Sequence, residues 1–192
     1  MVSNMPRTID LPVSLCTQEN FAPFGQVLQL PDGQSQHRWS TTKTWSADFA
    51  IDGKMELMYA RVEPIPNHFS KMERHFSVTQ TFIPLGDAAA VTIFAAPTGD
   101  DNDTPPEPAN FRALLVPGNM AIMMYRGVWH SGRFLVKPEP AEFIILTDEH
   151  TTTELQAVPN LGRGRLSHIV HYDKSHDITF CLTDPAGLLR TA

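Results

Sequence analysis

The sequence predicts an all-β fold, a barrel built from many short strands. Sixteen prolines and eleven glycines interrupt short apolar runs along the 192 residues, as is typical of sheets joined by tight turns. Residues 55–62 alternate in polarity as a half-buried strand does, and the apolar runs 81–85 and 88–96 have the length of strands. We expect one domain over residues 1–192, with the barrel at about 8–148 and a C-terminal tail at about 149–192.

The first elements follow from local signals. Residues 8–13 predict a strand, and Thr17 is a suitable N-cap for a short helix that ends at Gly25. A strand at 26–30 and a turn at 31–33 come next. One or two short helices are therefore expected among the strands.

Residues 34–53 give a poor signal. Trp39 and Trp45 stand among Ser, Thr and Lys, which favours a surface loop with two aromatic anchors. The alternative is a rim or lid beside a pocket, because loops carry function on β scaffolds.

The central run, residues 73–85, is expected to form a hairpin with residues 88–96 through the turn at Gly86. Further strands are predicted at 111–116, 120–126, 133–136 and 142–148. After these the character of the chain changes to that of a tail packed on the barrel or on a dimer partner.

Three histidines in the tail, His168, His171 and His176, raise the alternative of a second metal cluster. Residues 168–172 are better interpreted as a strand, on which side chains three apart face opposite ways. We therefore expect a structural role for this segment.

Composition excludes several classes of partner. The net charge is −6 and there is no basic stripe, so nucleic acid is not expected. No run reaches about 18 apolar residues, and no signal segment opens the chain, so we expect a cytoplasmic protein without a membrane span. Cys16 and Cys181 are expected to be free thiols.

The chemistry-bearing residues lie in two segments. Glu73 and His75 are two positions apart, so on a strand they share one face. Gln80 follows, and His130 lies about fifty residues further along. These four residues are the predicted ligand set of a divalent metal, with Ni, Zn, Mn and Fe all compatible.

A metal-free site is equally compatible with these residue types. Glu73 and His130 would then be a general base and acid, with Gln80 orienting the substrate. Tyr125 is either a proton donor or a residue that fills the barrel. Arginine suits bidentate recognition of a carboxylate, and four arginines lie in or beside predicted strands: Arg61, Arg74, Arg126 and Arg133.

The two segments resemble the two halves of a cupin signature. The first half is Glu73, His75, Gln80 and Gly86; the second is the run 125–130, in which Tyr125 replaces the usual proline. This resemblance implies a jelly-roll-like cupin barrel with the four side chains converging at its open end.

A closer resemblance is to the ureidoglycolate lyase family. It is carried by Glu-Arg-His at 73–75, Thr-Gln at 79–80, Phe-Ile-Pro at 82–84 and Arg-Gly-Val-Trp-His at 126–130. The resemblance implies a homodimeric enzyme that cleaves ureidoglycolate to glyoxylate and urea, without an organic cofactor.

Under this resemblance the roles are specific. Glu73 and His130 are the base and the acid, Tyr125 is a further catalytic candidate, and Arg61 or Arg126 anchors the carboxylate of a small substrate. Metal dependence stays open.

Several positions depart from the family pattern. Tyr125 and Ser131 stand where the family usually has histidines, residues 34–49 are not recognisable, and the tail is long. The alternatives are a related cupin enzyme for another small hydroxy or keto acid, or a cupin that binds a ligand without turnover.

Overall fold

The structure, a computed structural model, describes residues 6–29, 34–99, 103–158, 162–184 and 187–190. Strands dominate it, and the all-β prediction is confirmed. The strands are β1 (Arg7–Leu15), β2 (Gly25–Leu28), β3 (His37–Trp39), β4 (Thr42–Thr44), β5 (Met55–Val62), β6 (His68–Phe69), β7 (Lys71–His75), β8 (Gln80–Pro84), β9 (Ala90–Ala95), β10 (Arg112–Val116), β11 (Ala121–Met124), β12 (Trp129–Leu135), β13 (Ala141–Asp148), β14 (Ser167–His171) and β15 (Ile178–Thr183).

The helices are few and short. They are α1 (Gln18–Phe21), α2 (Glu149–Ala157) and α3 (Tyr172–Ser175), with 3₁₀ turns at Pro108–Asn110 and Leu188–Arg190. Thr17 caps α1 as predicted, and its hydroxyl accepts a hydrogen bond from the main-chain N–H of Asn20. None of the helices in these ranges has the length and apolar character that crossing a membrane requires.

Two large sheets pack face to face. One has eight strands in the order β14-β7-β12-β9-β10-β1-β15-β6, and the other has five in the order β2-β11-β8-β13-β5. The core between them joins Phe94 of β9 to Phe82 of β8 and Phe143 of β13. This space between the sheets is the interior of the barrel.

The eight-stranded sheet is buried on both faces at β9. In β9, Ala90 and Phe94 face the barrel interior, while Val91 and Ile93 belong to a second apolar cluster on the opposite face. That opposite face is covered partly by the tail, whose Tyr172 and Phe180 join the second cluster. The near-continuous apolar sequence of β9 follows from this two-sided burial.

The predicted hairpin of residues 73–85 with 88–96 is wrong. The first run divides into β7 and β8, which lie in different sheets. β8 pairs with β11 and β13, and β9 pairs with β10 and β12. The pattern of polar and apolar residues identifies strands but not the strands with which they pair. The turn at Gly86 connects the two sheets and does not join two neighbouring strands of one sheet.

Residues 34–53 form more than a loop. β3 and β4 make a small antiparallel hairpin, in which the Trp39 side chain is 61% exposed. The turn predicted at 31–33 lies outside the described residues.

The tail joins the eight-stranded sheet. β14 pairs antiparallel with β7, and β15 pairs parallel with β1. The predicted strand at 168–172 is thus β14, one residue earlier. His168 packs on Trp129 and His176 on Tyr172, and no His, Cys or acidic cluster of metal-binding size forms in the described part of the tail.

Gly25 at the start of β2 predicts a measurable effect on stability. A Cβ atom at this position would lie 1.9 Å from the main-chain oxygen of Met123 on β11. Gly25→Ala should therefore lower the free energy of unfolding by about 1–3 kcal/mol, the usual cost of overpacking. Chemical denaturation measures it.

Gly162→Ala is the matched control, since a Cβ there meets no atom of the described residues within 4 Å. A Gly25→Ala variant as stable as Gly162→Ala would contradict the close approach of β2 to β11.

Candidate active site

The site is built where β12 pairs with β7. His130 lies directly opposite Glu73 in the antiparallel register, so the two side chains point to the same face. The imidazole Nε2 of His130 is 3.6 Å from Oε1 of Glu73. His75 shares the face of Glu73, and one ligand atom from each of the three residues lies within 4.8 Å of the others.

The tail contributes a neighbour to this cluster. Ser167 of β14 pairs with His75, and its hydroxyl lies 3.1 Å from the His75 Nδ1. The imidazoles of His75 and His130 meet edge to face, with ring centroids 5.0 Å apart. Ser167 was not identified from the sequence, because no local signal shows which strand pairs with β7.

Burial and charge set the protonation states. Burial lowers the pKa of His75 to about 4, helped by repulsion from His130. Burial also lowers the pKa of His130, although the Glu73 carboxylate opposes the shift. Burial of Glu73 alone would raise its pKa, but the neighbouring imidazoles and the Lys71 ammonium outweigh it and lower the pKa to about 2. At neutral pH the carboxylate is ionised and both imidazoles are neutral.

Hydrogen bonding fixes the tautomer of His130. Its Nδ1 lies 3.2 Å from the Val128 carbonyl, which only accepts, so Nδ1 carries the proton. The lone pair of Nε2 then faces the ionised carboxylate of Glu73. These two acceptors, His130 Nε2 and Glu73 Oε1, are 3.6 Å apart and repel each other unless a proton donor or a cation binds to both. A carboxylate with two neutral imidazoles also suits a divalent transition metal.

A cavity of about 380 Å³ opens beside the cluster. Its lining includes Glu73 and His130 from one sheet and Gln80 from the other. The Gln80 amide nitrogen lies 3.4 Å from the Thr147 hydroxyl, while its buried Oε1 has no hydrogen-bond partner among the described residues. That orphaned acceptor is available to a ligand in the cavity.

Two cations also line the cavity. Lys71, two positions before Glu73 on β7, places its Nζ 2.8 Å from the second carboxylate oxygen. Arg133 lies on β12, and its guanidinium carbon is 3.9 Å from the centroid of the Phe82 ring. Neither residue was chosen for the site from the sequence.

The structure places the other predicted residues away from this cavity. Arg61 is on the outer side of β5, 3.9 Å from Glu142. Arg126 makes two hydrogen bonds to the Asp52 carboxylate. Tyr125 lines a separate cavity with Trp45. The roles assigned to Arg61, Arg126 and Tyr125 stay predictions.

Fold and site together define a two-sheet β-barrel that holds a carboxylate–imidazole cluster beside a cavity lined by both sheets. The profile of the family described as ureidoglycolate lyase matches residues 8–161. This chain belongs to the ureidoglycolate lyase family.

Two ureidoglycolate lyases are similar in sequence to this chain over much of its length. A ureidoglycolate lyase of Burkholderia cepacia is 33% identical over 136 residues, 66% of this chain and 73% of its own. One from Pseudomonas syringae pv. tomato is 32% identical over 175 residues, 80% of this chain and 98% of its own. The solved structure of RmlC from Streptococcus suis covers 72% of this chain and 67% of its own, at 10% identity and a TM-score of 0.35.

The buried imidazoles predict a pH-dependent stability. Below its ordinary pKa of 6.5, His75 is protonated in the unfolded chain before it is protonated in the folded one, whose pKa is about 4. The free energy of unfolding should therefore fall as pH drops from 7 towards 4, by roughly 2–3 kcal/mol from this group. Urea denaturation in the presence of a chelator measures it.

His75→Gln should remove this part of the slope, whereas His37→Gln, at an exposed position, should keep it. Equal pH slopes for wild type and His75→Gln would show that burial of His75 does not govern acid stability.

Proposed function

We propose that this protein is a ureidoglycolate lyase, which cleaves the C–N bond of ureidoglycolate to give glyoxylate and urea. The observation that carries the proposal is the cluster of Glu73, His75 and His130 beside a cavity lined by Glu73, His130 and Gln80, in a member of this family. The reaction needs a base for the 2-hydroxyl, an acid for the leaving nitrogen and an anchor for the substrate.

One proton moves in the reaction. The 2-hydroxyl loses it, the C–O bond becomes the carbonyl of glyoxylate, and the electrons of the breaking C–N bond go to the urea nitrogen. That nitrogen gains the proton, so the substrate divides into the two products without water or a redox partner.

His130 is placed to carry that proton. Its Nε2 is unprotonated at neutral pH, because burial lowers its pKa and Nδ1 bonds to Val128. Nε2 accepts the hydroxyl proton and returns it to the leaving nitrogen. The Glu73 carboxylate 3.6 Å away stabilises the imidazolium that forms between these steps.

The remaining cavity residues orient the substrate. The unpaired Oε1 of Gln80 is suited to accept a hydrogen bond from the ureido group. Lys71 holds the second oxygen of Glu73, which keeps the carboxylate ionised and turned towards His130.

A divalent metal fits the same residues. Glu73, His75 and His130 would hold it, with Gln80 Oε1 as a further ligand; Ni, Zn, Mn and Fe all accept this donor set. A cation bound there would lower the pKa of the substrate 2-hydroxyl. His130 would then be a metal ligand and not the proton acceptor. Metal analysis of untagged protein, before and after chelation, decides between the two forms of the site.

The assay follows glyoxylate and urea from racemic ureidoglycolate with purified protein. Equal amounts of the two products, with no ammonia, are expected. Absence of glyoxylate at high protein concentration, with and without added Ni²⁺, Zn²⁺, Mn²⁺ or Fe²⁺, rejects the proposal.

Glu73→Gln and His130→Gln should each lower kcat by about 10²- to 10⁴-fold, because His130 moves the proton and Glu73 stabilises the imidazolium that forms. Both variants keep the size of the side chain and should fold. Glu139→Gln and His37→Gln replace exposed residues and are the matched controls. If Glu73→Gln and His130→Gln keep wild-type kcat, His130 does not move the proton and Glu73 does not stabilise its charge.

We also propose a cytoplasmic homodimer, formed through the outer face of the five-stranded sheet. β5 is the edge strand, and its outward side chains Met55, Leu57 and Tyr59 are 55%, 66% and 61% exposed. They continue onto Ile144 and Leu146 of β13, which pair with Tyr59 and Leu57. A contiguous apolar face on a sheet edge is typical of an interface.

Leu57→Glu combined with Tyr59→Glu should convert the dimer to a monomer of 21.4 kDa, because each charge would be buried against apolar surface. Light scattering after gel filtration measures the mass. Leu15→Glu, at a 45% exposed position of β1, should leave the dimer intact. A dimer that survives the double substitution would place the interface elsewhere.

A further inference from the structure

We propose that Arg133 binds the carboxylate of the substrate and so restricts the site to small 2-hydroxy and 2-oxo acids. This assignment rests on the proposed function, since it names the anchor that the lyase reaction needs. It differs from the sequence-based choice of Arg61 or Arg126.

Arg133 has no hydrogen-bonded or ion-paired partner among the described residues, although its guanidinium contacts the ring of Phe82. Its buried Nε is unsatisfied within the same residues. Burial lowers its pKa to about 10, although the nearby Glu73 carboxylate opposes the shift, so the guanidinium stays charged at neutral pH. A charge held inside a protein is costly unless it is paired, and an anionic ligand supplies the missing partner.

A bulge in β12 turns Arg133 towards the cavity. Ser131 pairs with Ile93 and Phe134 with Val91, so two residues of β12 oppose the single Thr92 of β9. Gly132 absorbs the extra residue with a φ of +51°. As a result His130 and Arg133, three positions apart, line the same cavity.

The surroundings of Arg133 favour a bound anion in one orientation. Its guanidinium carbon lies 3.9 Å from the Phe82 ring centroid and 5.7 Å from that of Phe143. It also borders the apolar interior formed with Ile122 and Met120. A carboxylate bound to its nitrogens has hydrocarbon on one side and Glu73 with His130 on the other.

The other candidate cations are already engaged. Arg126 is bound in a bidentate manner by Asp52, and Arg61 is paired on the outer face. Lys71 is held by Glu73. Arg133 is therefore the cavity cation that remains available, and its planar fork matches both oxygens of a carboxylate.

This placement sets the position of the reacting carbon. In a 2-hydroxy acid the hydroxyl-bearing carbon is bonded to the carboxylate carbon. When the carboxylate is bound to Arg133, the hydroxyl is directed into the part of the cavity that Glu73 and His130 line, and the ureido group lies beside Gln80.

The test is a calorimetric titration with an inert probe. Oxalurate is the 2-oxo analogue of the substrate and carries the carboxylate. The control probe is the compound in which a primary amide replaces this carboxylate, so that it is uncharged and otherwise similar. Wild type should bind oxalurate more tightly than the amide. Arg133→Met should weaken oxalurate binding on the order of 10- to 100-fold and leave the amide within about twofold.

Arg133→Lys keeps the charge but loses the fork, so it should give an intermediate loss. Arg38→Met, at an exposed position of β3, is the control and should bind as wild type does. Arg133→Met removes a charge that makes no hydrogen bond within the described protein, and it also removes the contact with the Phe82 ring, so its Tm should stay close to that of wild type.

The titration separates this inference from the proposed reaction. Arg133-dependent binding of oxalurate without release of glyoxylate from ureidoglycolate upholds the anchor and rejects the lyase. Wild-type turnover with unchanged KM in Arg133→Met upholds the lyase and rejects the anchor. Equal weakening of both probes, or no preference for oxalurate in wild type, also rejects it.

Discussion

The pairing of β12 with β7 on one side and with β9 on the other is the constraint on which the site depends. It sets His130 opposite Glu73 and, through the extra residue at Gly132, brings Arg133 to the same face. A regular strand would direct Arg133 into the apolar cluster on the opposite face, where Phe134 packs. One glycine in the left-handed region thus decides whether the cavity contains an arginine.

The tail gives that pairing its rigidity. β14 adds a further strand to the edge of β7, so the strand that carries Glu73 and His75 is paired on both sides. Ser167 reaches His75 from this strand, yet it lies beyond residues 8–161 that match the family. Part of what positions the site therefore comes from a segment outside the matched region.

Sequence reasoning predicted what local periodicity determines. The alternation of residues 55–62 predicted β5 with its observed bounds, and the spacing of Glu73 and His75 predicted a shared face. Pairing is decided by contacts distant in sequence, so the hairpin of β8 with β9 was wrong, and Ser167 gave no signal. Arg133 was one of four arginines considered as a carboxylate anchor. A bulge inverts the face of every following side chain, and the position of the bulge cannot be predicted from the periodicity of the sequence.

Several polar groups of the site lack a complementary partner within the described part of the chain. The Glu73 carboxylate faces a bare imidazole nitrogen, Gln80 Oε1 has no partner, and neither has Arg133 Nε, among the residues that the structure describes. Each such group weakens the fold, so their convergence on one cavity is costly unless a ligand completes them. A small molecule with a carboxylate, a hydroxyl and an N–H donor supplies a partner to Arg133, to His130 beside Glu73, and to Gln80, respectively. This match between the site and the ligand groups connects the fold to the proposed substrate.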